Sequence, residues 1–312
     1  MKRERDFAKV GTLVGAILLA GAGTIMAQTP APAATPQPVT FTVTSVGGQS
    51  APVTKADVKL LLRNNATPVD GWAQDDNLFL AILIDDSIDR GAASNWNDLR
   101  AFIMEQPATT HIAVGYLSNN GTRLAQDFTP NHQLAADALR IPMGLRGPSS
   151  PYLATLDLLR RWPNTGPRRS IILISSGFDY FRGASSGPTF PDVVPLIQLA
   201  QTQNTNIWAV YFPSATRRGR SFNYAWTGQN NLSRVADETG GNLFALGTGV
   251  PVSLKPHFDE IFTNLRNQYL LTFGAVRERR GRHVRVDVRT EVPDAEFFTP
   301  AAVFVPAAPA AK

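Results

Sequence analysis

The chain has 312 residues, of which 43% are hydrophobic and 18% charged, and it contains no cysteine. That balance excludes a disordered polyelectrolyte. The missing thiol excludes a disulfide scaffold, a thiolate metal site, a cysteine nucleophile and lipoprotein acylation. A formal charge of +5 is too small an excess to argue for a nucleic-acid partner.

Residues 1–27 read as a secretory signal peptide, the alternative being an uncleaved membrane anchor, for which an apolar run of about 17 residues is marginal. Lys2, Arg3, Arg5 and Lys9 precede an apolar run from Val10 to Met26, and Ala27 offers a small residue for cleavage before Gln28. The expected location is therefore secreted or periplasmic, with the membrane met only through the export signal. Cleavage removes four of 30 basic and two of 25 acidic residues, leaving 26 against 23, a net +3. Residues 28–38 (QTPAPAATPQP) read as an extended linker. Residues 39–76 read as a small β-rich segment: VTFTVTSVGG alternates apolar and Thr residues up to a glycine turn, and Thr54 is placed as a cap or turn residue.

Four apolar runs follow at wide intervals: Leu78–Ile84, Ile112–Leu117, Ile171–Ser175 and Ile207–Phe212. Unbroken hydrophobicity predicts strands buried on both faces, as in a parallel sheet. Helical spacing lies between and after them, at 97–106, 152–162, 193–203, 231–239 and 254–267. The predicted fold over 77–275 is an α/β domain, a doubly wound and mostly parallel sheet with helices on both faces. Residues 276–306 add C-terminal strands able to pair with the β-rich preface, and 307–312 form a disordered tail.

Ligands of such sheets bind beyond the carboxyl ends of the strands. Those positions hold Asp85-Asp86-Ser87-Ile88-Asp89 after the first run and Ser175-Ser176-Gly177-Phe178-Asp179 after the third, with Gly147–Tyr152 before the intervening helix. Carboxylates and hydroxyls without sulfur or clustered imidazole suit Mg²⁺, Mn²⁺ or Ca²⁺. A blander reading makes Asp85–Asp89 helix-capping residues and Ser149 the cap of helix 152–162.

This order and spacing resemble the von Willebrand factor type A domain, and specifically secreted bacterial proteins that carry it. Asp85 and Ser87 match the first two positions of the family's D-x-S-x-S metal-ion-dependent adhesion motif, and Asp89 stands at its third. Ser149 matches the family threonine, followed by the matching Tyr152. Ser176 stands where the family has an aspartate, before the matching Gly177. VADETGGNLF and LRNQYLLTF resemble the family's later helix and its closing helix–strand. The resemblance implies a Rossmann-like fold and a non-enzymatic binding protein. Its degenerate site would hold Mg²⁺ (or Mn²⁺/Ca²⁺) on Asp85, Ser87, Asp89, Ser149, Ser176 and Asp179, and the ligand would be a protein with an acidic side chain.

Two other readings use the same residues. A metal-independent envelope scaffold would need only the surface. A serine hydrolase would use Ser176 with His257 or His283, but Ile174 and Phe178 occupy the glycine positions of a nucleophile elbow. No zincin, P-loop or dinucleotide fingerprint occurs. Finally, Arg217 and Arg218, with Tyr224 and Trp226, read as a long partner-contact loop, since Arg, Tyr and Trp are enriched in interface hot spots.

Overall fold

In the computed structural model the described residues are 36–47, 52–163, 166–183, 189–217, 221–245, 249 and 251–309. The expected signal peptide, the expected linker up to residue 35, and Arg218 lie outside them. Four strands come first: β1 (Gln37–Gly47), β2 (Val58–Leu62), β3 (Asn65–Thr67) and β4 (Gly71–Ala73). Gln37 and Pro38, expected in the linker, already belong to β1. The α/β part follows as β5 (Phe79–Asp85), α1 (Trp96–Glu105), β6 (His111–Ser118), β7 (Gly121–Thr129), α2 (His132–Asp137) and α3 (Pro151–Arg161). It continues through β8 (Arg169–Ser175), α4 (Val193–Thr202), β9 (Thr205–Tyr211), α5 (Phe222–Glu238), β10 (Leu243–Phe244) and α6 (Lys255–Arg266). Four strands close the chain: β11 (Gln268–Ala275), β12 (Arg282–Thr290), β13 (Ala295–Phe298) and β14 (Ala302–Val305).

The central sheet has the order β10-β9-β8-β5-β6-β7, parallel throughout except for the β6–β7 hairpin. The apolar runs are its interior strands because both of their faces are covered. Along β5, Leu80, Ile82 and Ile84 pack with α1, α2 and α6 through Leu99, Ala135 and Ile261. Ala81 and Leu83 point the other way, toward Leu156, Ile197 and Val235 of α3, α4 and α5. The two-residue period of a strand thus feeds two separate cores.

The strands at the two chain ends build a second body. They form two four-stranded sheets, β13-β1-β11-β4 and β14-β12-β2-β3, whose inner faces share one core from Val39, Phe41 and Val43 to Val286, Val288 and Val303. The result is a β-sandwich into which the α/β part is inserted. β11, placed by the sequence reading inside the α/β domain, pairs antiparallel with β1 instead, Val39 opposite Phe273 and Val43 opposite Tyr269. Within the expected tail, Ala308 N–H donates to Glu278 O at 2.8 Å, and residues 310–312 lie outside the described residues.

Polar contacts join sandwich to sheet. Asn204, at φ +51°, accepts a 2.8 Å bond from Thr42 N–H of β1 on Oδ1 and donates from Nδ2 to Pro167 O at 2.8 Å. The Arg168 guanidinium donates to Gln268 Oε1 at 2.9 Å, to Asp75 O at 2.6 Å and to Leu265 O. Burial pulls its pKa down to about 10, still charged at neutral pH. Trp208 of β9 meets Phe298 of β13 edge-on at 6.2 Å. Replacing Asn204 by Ala leaves Thr42 N–H unpaired and puts a β-carbon without a stabilising side chain in the left-handed region. Urea unfolding is expected to show a loss of about 1–3 kcal/mol; an unchanged midpoint would remove Asn204 as a joint between the two bodies.

Candidate functional site at the strand ends

Asp85 ends the central strand and is 1% exposed. Its Oδ1 accepts from Ser87 N–H at 2.8 Å, and its Oδ2 accepts from the Ser175 hydroxyl at 2.7 Å, which in turn accepts from Gly177 N–H at 2.9 Å. The carboxylate therefore ties the end of β5 to the end of neighbouring β8. Burial raises its pKa, the bonds from Ser175 and Ser87 temper the rise, and the charge of Asp86 adds to it. The Ser87 hydroxyl also tempers it, from outside hydrogen-bond geometry.

The residues that follow Asp85 help to line a crevice of about 10 Å³, formed by Asp86, Ser87, Leu117 and Asn119 together with Gly144, Gly147 and Ser149. That is room on the scale of one water or one ion. The Ser87 and Ser149 hydroxyls are buried in it without a hydrogen-bond partner. Asp86 is neutralised: Arg140 donates a two-pronged pair to it at 2.8 Å on each oxygen, Met143 N–H donates at 3.0 Å, and the guanidinium lies 3.6 Å over the Tyr116 ring. This pair fastens the 140–147 loop to the crevice wall.

The remaining residues read from the sequence are engaged elsewhere. Asp89 caps the 3₁₀ turn Arg90–Asn95, its Oδ1 accepting from Gly91 N–H at 2.7 Å. The Ser176 hydroxyl accepts only a long 3.5 Å contact from Phe178 N–H. Asp179 caps its own turn, accepting from Phe181 N–H at 2.9 Å and Arg182 N–H at 2.7 Å. Its Oδ2 is buried without a partner, and burial raises its pKa. Asp179 still shapes the site, because the turn it holds donates from Tyr180 and Phe181 N–H to Ser149 O at 2.8 and 3.1 Å. The helix cap before α3 is Ser150, not Ser149, and it leaves Ser149 facing the crevice. Tyr152 donates to Gly177 O at 2.6 Å. His257 packs against Phe244 and His283 reaches Gln198 O, so neither serves Ser176.

Which of these could hold a cation follows from the orphaned oxygens. Asp85, Ser87 and Ser149 offer a carboxylate and two unpaired hydroxyls, a donor set that fits a hard divalent ion. Among the described residues no three His, Cys, Asp or Glu side chains converge on a point, so the set is poor in charge. The signal for Ser175 and Asp86 stood beside residues already singled out, whereas nothing in the sequence marked Arg140.

The expected partner loop is a helix. Phe222, Tyr224 and Trp226 lie in the first turns of α5, which starts nine residues earlier than the periodicity suggested. Tyr224 is turned inward, edge-on to Phe178 at 4.7 Å. Phe222 and Trp226 are exposed, at 76% and 54%, as is Arg217. The helix lies close against the β8 turn because two glycines face each other. A β-carbon on Gly177 (φ +65°) would meet Gly228 O at 2.3 Å, and one on Gly228 would meet Ser176 O at 2.1 Å.

No family model and no curated protein matches this sequence. Solved structures do, as likenesses of fold. A von Willebrand factor type A protein from Catenulispora acidiphila is 10% identical, with a TM-score of 0.43 over 88% of this chain and 75% of that one. The vWF domain of the type V pili tip protein Mfa5 from Porphyromonas gingivalis is 12% identical, with a TM-score of 0.42 over 60% and 94%. The ArnB paralog VWA2 from Sulfolobus acidocaldarius is 10% identical, with a TM-score of 0.38 over 87% and 76%. The chain's own sheet order, one antiparallel edge strand on an otherwise parallel six-stranded sheet covered by helices on both faces, is that of a doubly wound α/β domain, and the solved structures it is similar to are von Willebrand factor type A proteins.

Proposed function

We propose that this is an exported protein-binding module whose contact face is the rim at the carboxyl ends of β5, β6 and β8, and that Asp85, Ser87 and Ser149 hold a divalent cation there. The observation that carries the reading is the pair of buried hydroxyls, Ser87 and Ser149, that line one crevice without a hydrogen-bond partner, Ser87 belonging to the turn that also bonds the desolvated Asp85 carboxylate. Such groups cost free energy until something satisfies them. A cation would satisfy all three and leave coordination positions open toward solvent for an acidic side chain of the partner. Exposed apolar side chains lie on segments joined to this end of the sheet: Ile141 and Met143 after Arg140, Phe181 in the turn bonded to Ser149, and Phe222 and Trp226 on α5, whose Tyr224 packs on Phe178. Apolar flanks around a charged centre match the division of labour in protein interfaces. The charged-then-apolar pattern of residues 1–27 supports export. The engagement of Asp89 and Asp179 in turns favours a second reading, in which the same face binds without metal.

Calorimetric titration of Mg²⁺, Mn²⁺ and Ca²⁺ separates the two. Wild type is expected to release or absorb binding heat that Asp85→Asn and Ser149→Ala lose; no heat from wild type, or equal heat from Asp85→Asn, removes the cation.

The pH dependence of stability checks the same carboxylate. A folded-state pKa above the ordinary value, about 3.9, means that Asp85 favours folding below that value and that this support drains away as pH rises through the raised pKa. Asp85→Asn is therefore expected to melt above wild type at pH 8, the gap closing toward pH 4. Mg²⁺ should narrow the gap at pH 8 by stabilising wild type. A gap independent of pH would contradict the burial of an ionisable group there.

Phe222→Ser with Trp226→Ser should leave the melting temperature nearly unchanged, since surface substitutions alter stability by about 0.5 kcal/mol or less. The same variant should lose partners that wild type captures from envelope extracts. Undiminished capture would move the contact face elsewhere.

A further inference from the structure

Far from that rim, the outer face of the β-sandwich carries an uncompensated pair of arginines. β2 and β12 run antiparallel, with Lys59 directly opposite Arg289 and Leu62 opposite Val286. One step further, Arg63 N–H donates to Arg285 O at 3.1 Å, so Arg63 stands across from Arg285. Like charges facing each other across a strand pair are destabilising. At the first position the chain answers this: Lys59 is paired with Glu291, and Asp287 accepts both prongs of Arg289 at 2.8 and 2.6 Å. At the second it does not, for neither Arg63 nor Arg285 has an ion-pair partner among the described residues.

Arg63 carries a second cost. The pairing of Leu62 with Asn65 leaves a two-residue turn, with Arg63 at φ +49° and Asn64 at φ +68°. Both central positions of such a turn favour Asn, Asp or Gly; Asn64 conforms and Arg63 does not. Strain retained at one residue together with repulsion retained at the same residue points to a use. Arg63 and Arg285 line one open cleft of about 430 Å³ with Asn64, Leu61 and Arg289. The only carboxylate lining it is Asp287, already occupied by Arg289.

From this geometry we infer an anion site for a phosphate-bearing ligand, gripped by the Arg63 and Arg285 guanidinium groups. Planar forks of this kind match phosphate oxygens two at a time. The bound anion removes the repulsion that the empty cleft carries, so ligand binding and fold stability rise together.

The test uses the full chain and inorganic pyrophosphate. At ten times Kd, pyrophosphate should raise Tm by roughly 3–4 °C, while NaCl at matched ionic strength should not. Arg285→Gln should lose this shift and, at low salt without ligand, melt above wild type. Arg63→Asn, which also suits the turn, should do the same and stands as an independent variant if Arg285→Gln does not fold. Sedimentation with phosphatidylglycerol vesicles, set against phosphatidylcholine vesicles, identifies the source of the phosphate. Sedimentation that pyrophosphate competes away assigns a lipid headgroup, and a pyrophosphate shift without sedimentation assigns a soluble ligand. Three results would overturn the site: an equal shift from NaCl, a shift retained in both variants, or no response to either pyrophosphate or vesicles.

Discussion

Asp85 is a carboxylate taken out of water at the end of the strand on which the central sheet is built, and the rim is arranged around the cost of keeping it there. Two donors meet it, Ser87 N–H from its own turn and the Ser175 hydroxyl from the adjacent strand. They do not cancel the desolvation, since its pKa remains raised. The next residue shows the other solution: the buried Asp86 takes two bonds from the Arg140 guanidinium and one from Met143 N–H, which fastens the 140–147 loop. One of two consecutive carboxylates is thus neutralised by the protein and the other is not. Of the two, Asp85 is the carboxylate at which the proposed cation would have most to gain.

The inserted architecture explains why that rim is presented as it is. Strands from both chain ends close the sandwich, β1 against β11 and β2 against β12, so the α/β part is anchored at both of its ends on one body. The anchoring contacts, through Arg168, Asn204 and Phe298, engage the sheet at the start of β8, the start of β9 and the middle of β9. The carboxyl ends of β5, β6 and β8 are left outside those contacts, with the 140–147 loop, the Ser149 segment and the first turns of α5 around them.

The central sheet was legible because burial on both faces writes a signal of unbroken apolar residues, and each of the four runs became an interior parallel strand. β7 escaped notice because it is an edge strand with one face in water, and its pattern GTRLAQDFT carries too little hydrophobicity to stand out. The start of α5 was missed for a related reason. Its first turns expose Phe222 and Trp226 and hide only Ala225 and Tyr224, inverting the expected amphipathic order. At the rim, Asp85, Ser87 and Ser149 could be read from their places in the chain. The roles of Asp89 and Asp179 could not, because whether a carboxylate caps its own turn or faces a ligand depends on one backbone dihedral. Arg140 left no local trace, since its partner Asp86 lies 54 residues earlier.

Unpaired buried oxygens are not confined to the rim, and the comparison shows what sets Ser87 and Ser149 apart. Thr42 and Thr44 of β1 also bury hydroxyls without partners, but they are fully buried within the ladder with β11, opposite Leu270 and Gln268. Those hydroxyls are a cost of packing a β-branched residue between the sandwich and the sheet. Ser87 and Ser149 sit instead at chain turns and line one open crevice, and Ser87 also acts on the desolvated Asp85 carboxylate. The same local deficit therefore has opposite meanings in the two places. Where no ligand can enter, it is a loss absorbed by the core. Where a crevice opens on it, it is the deficit from which the cation is proposed.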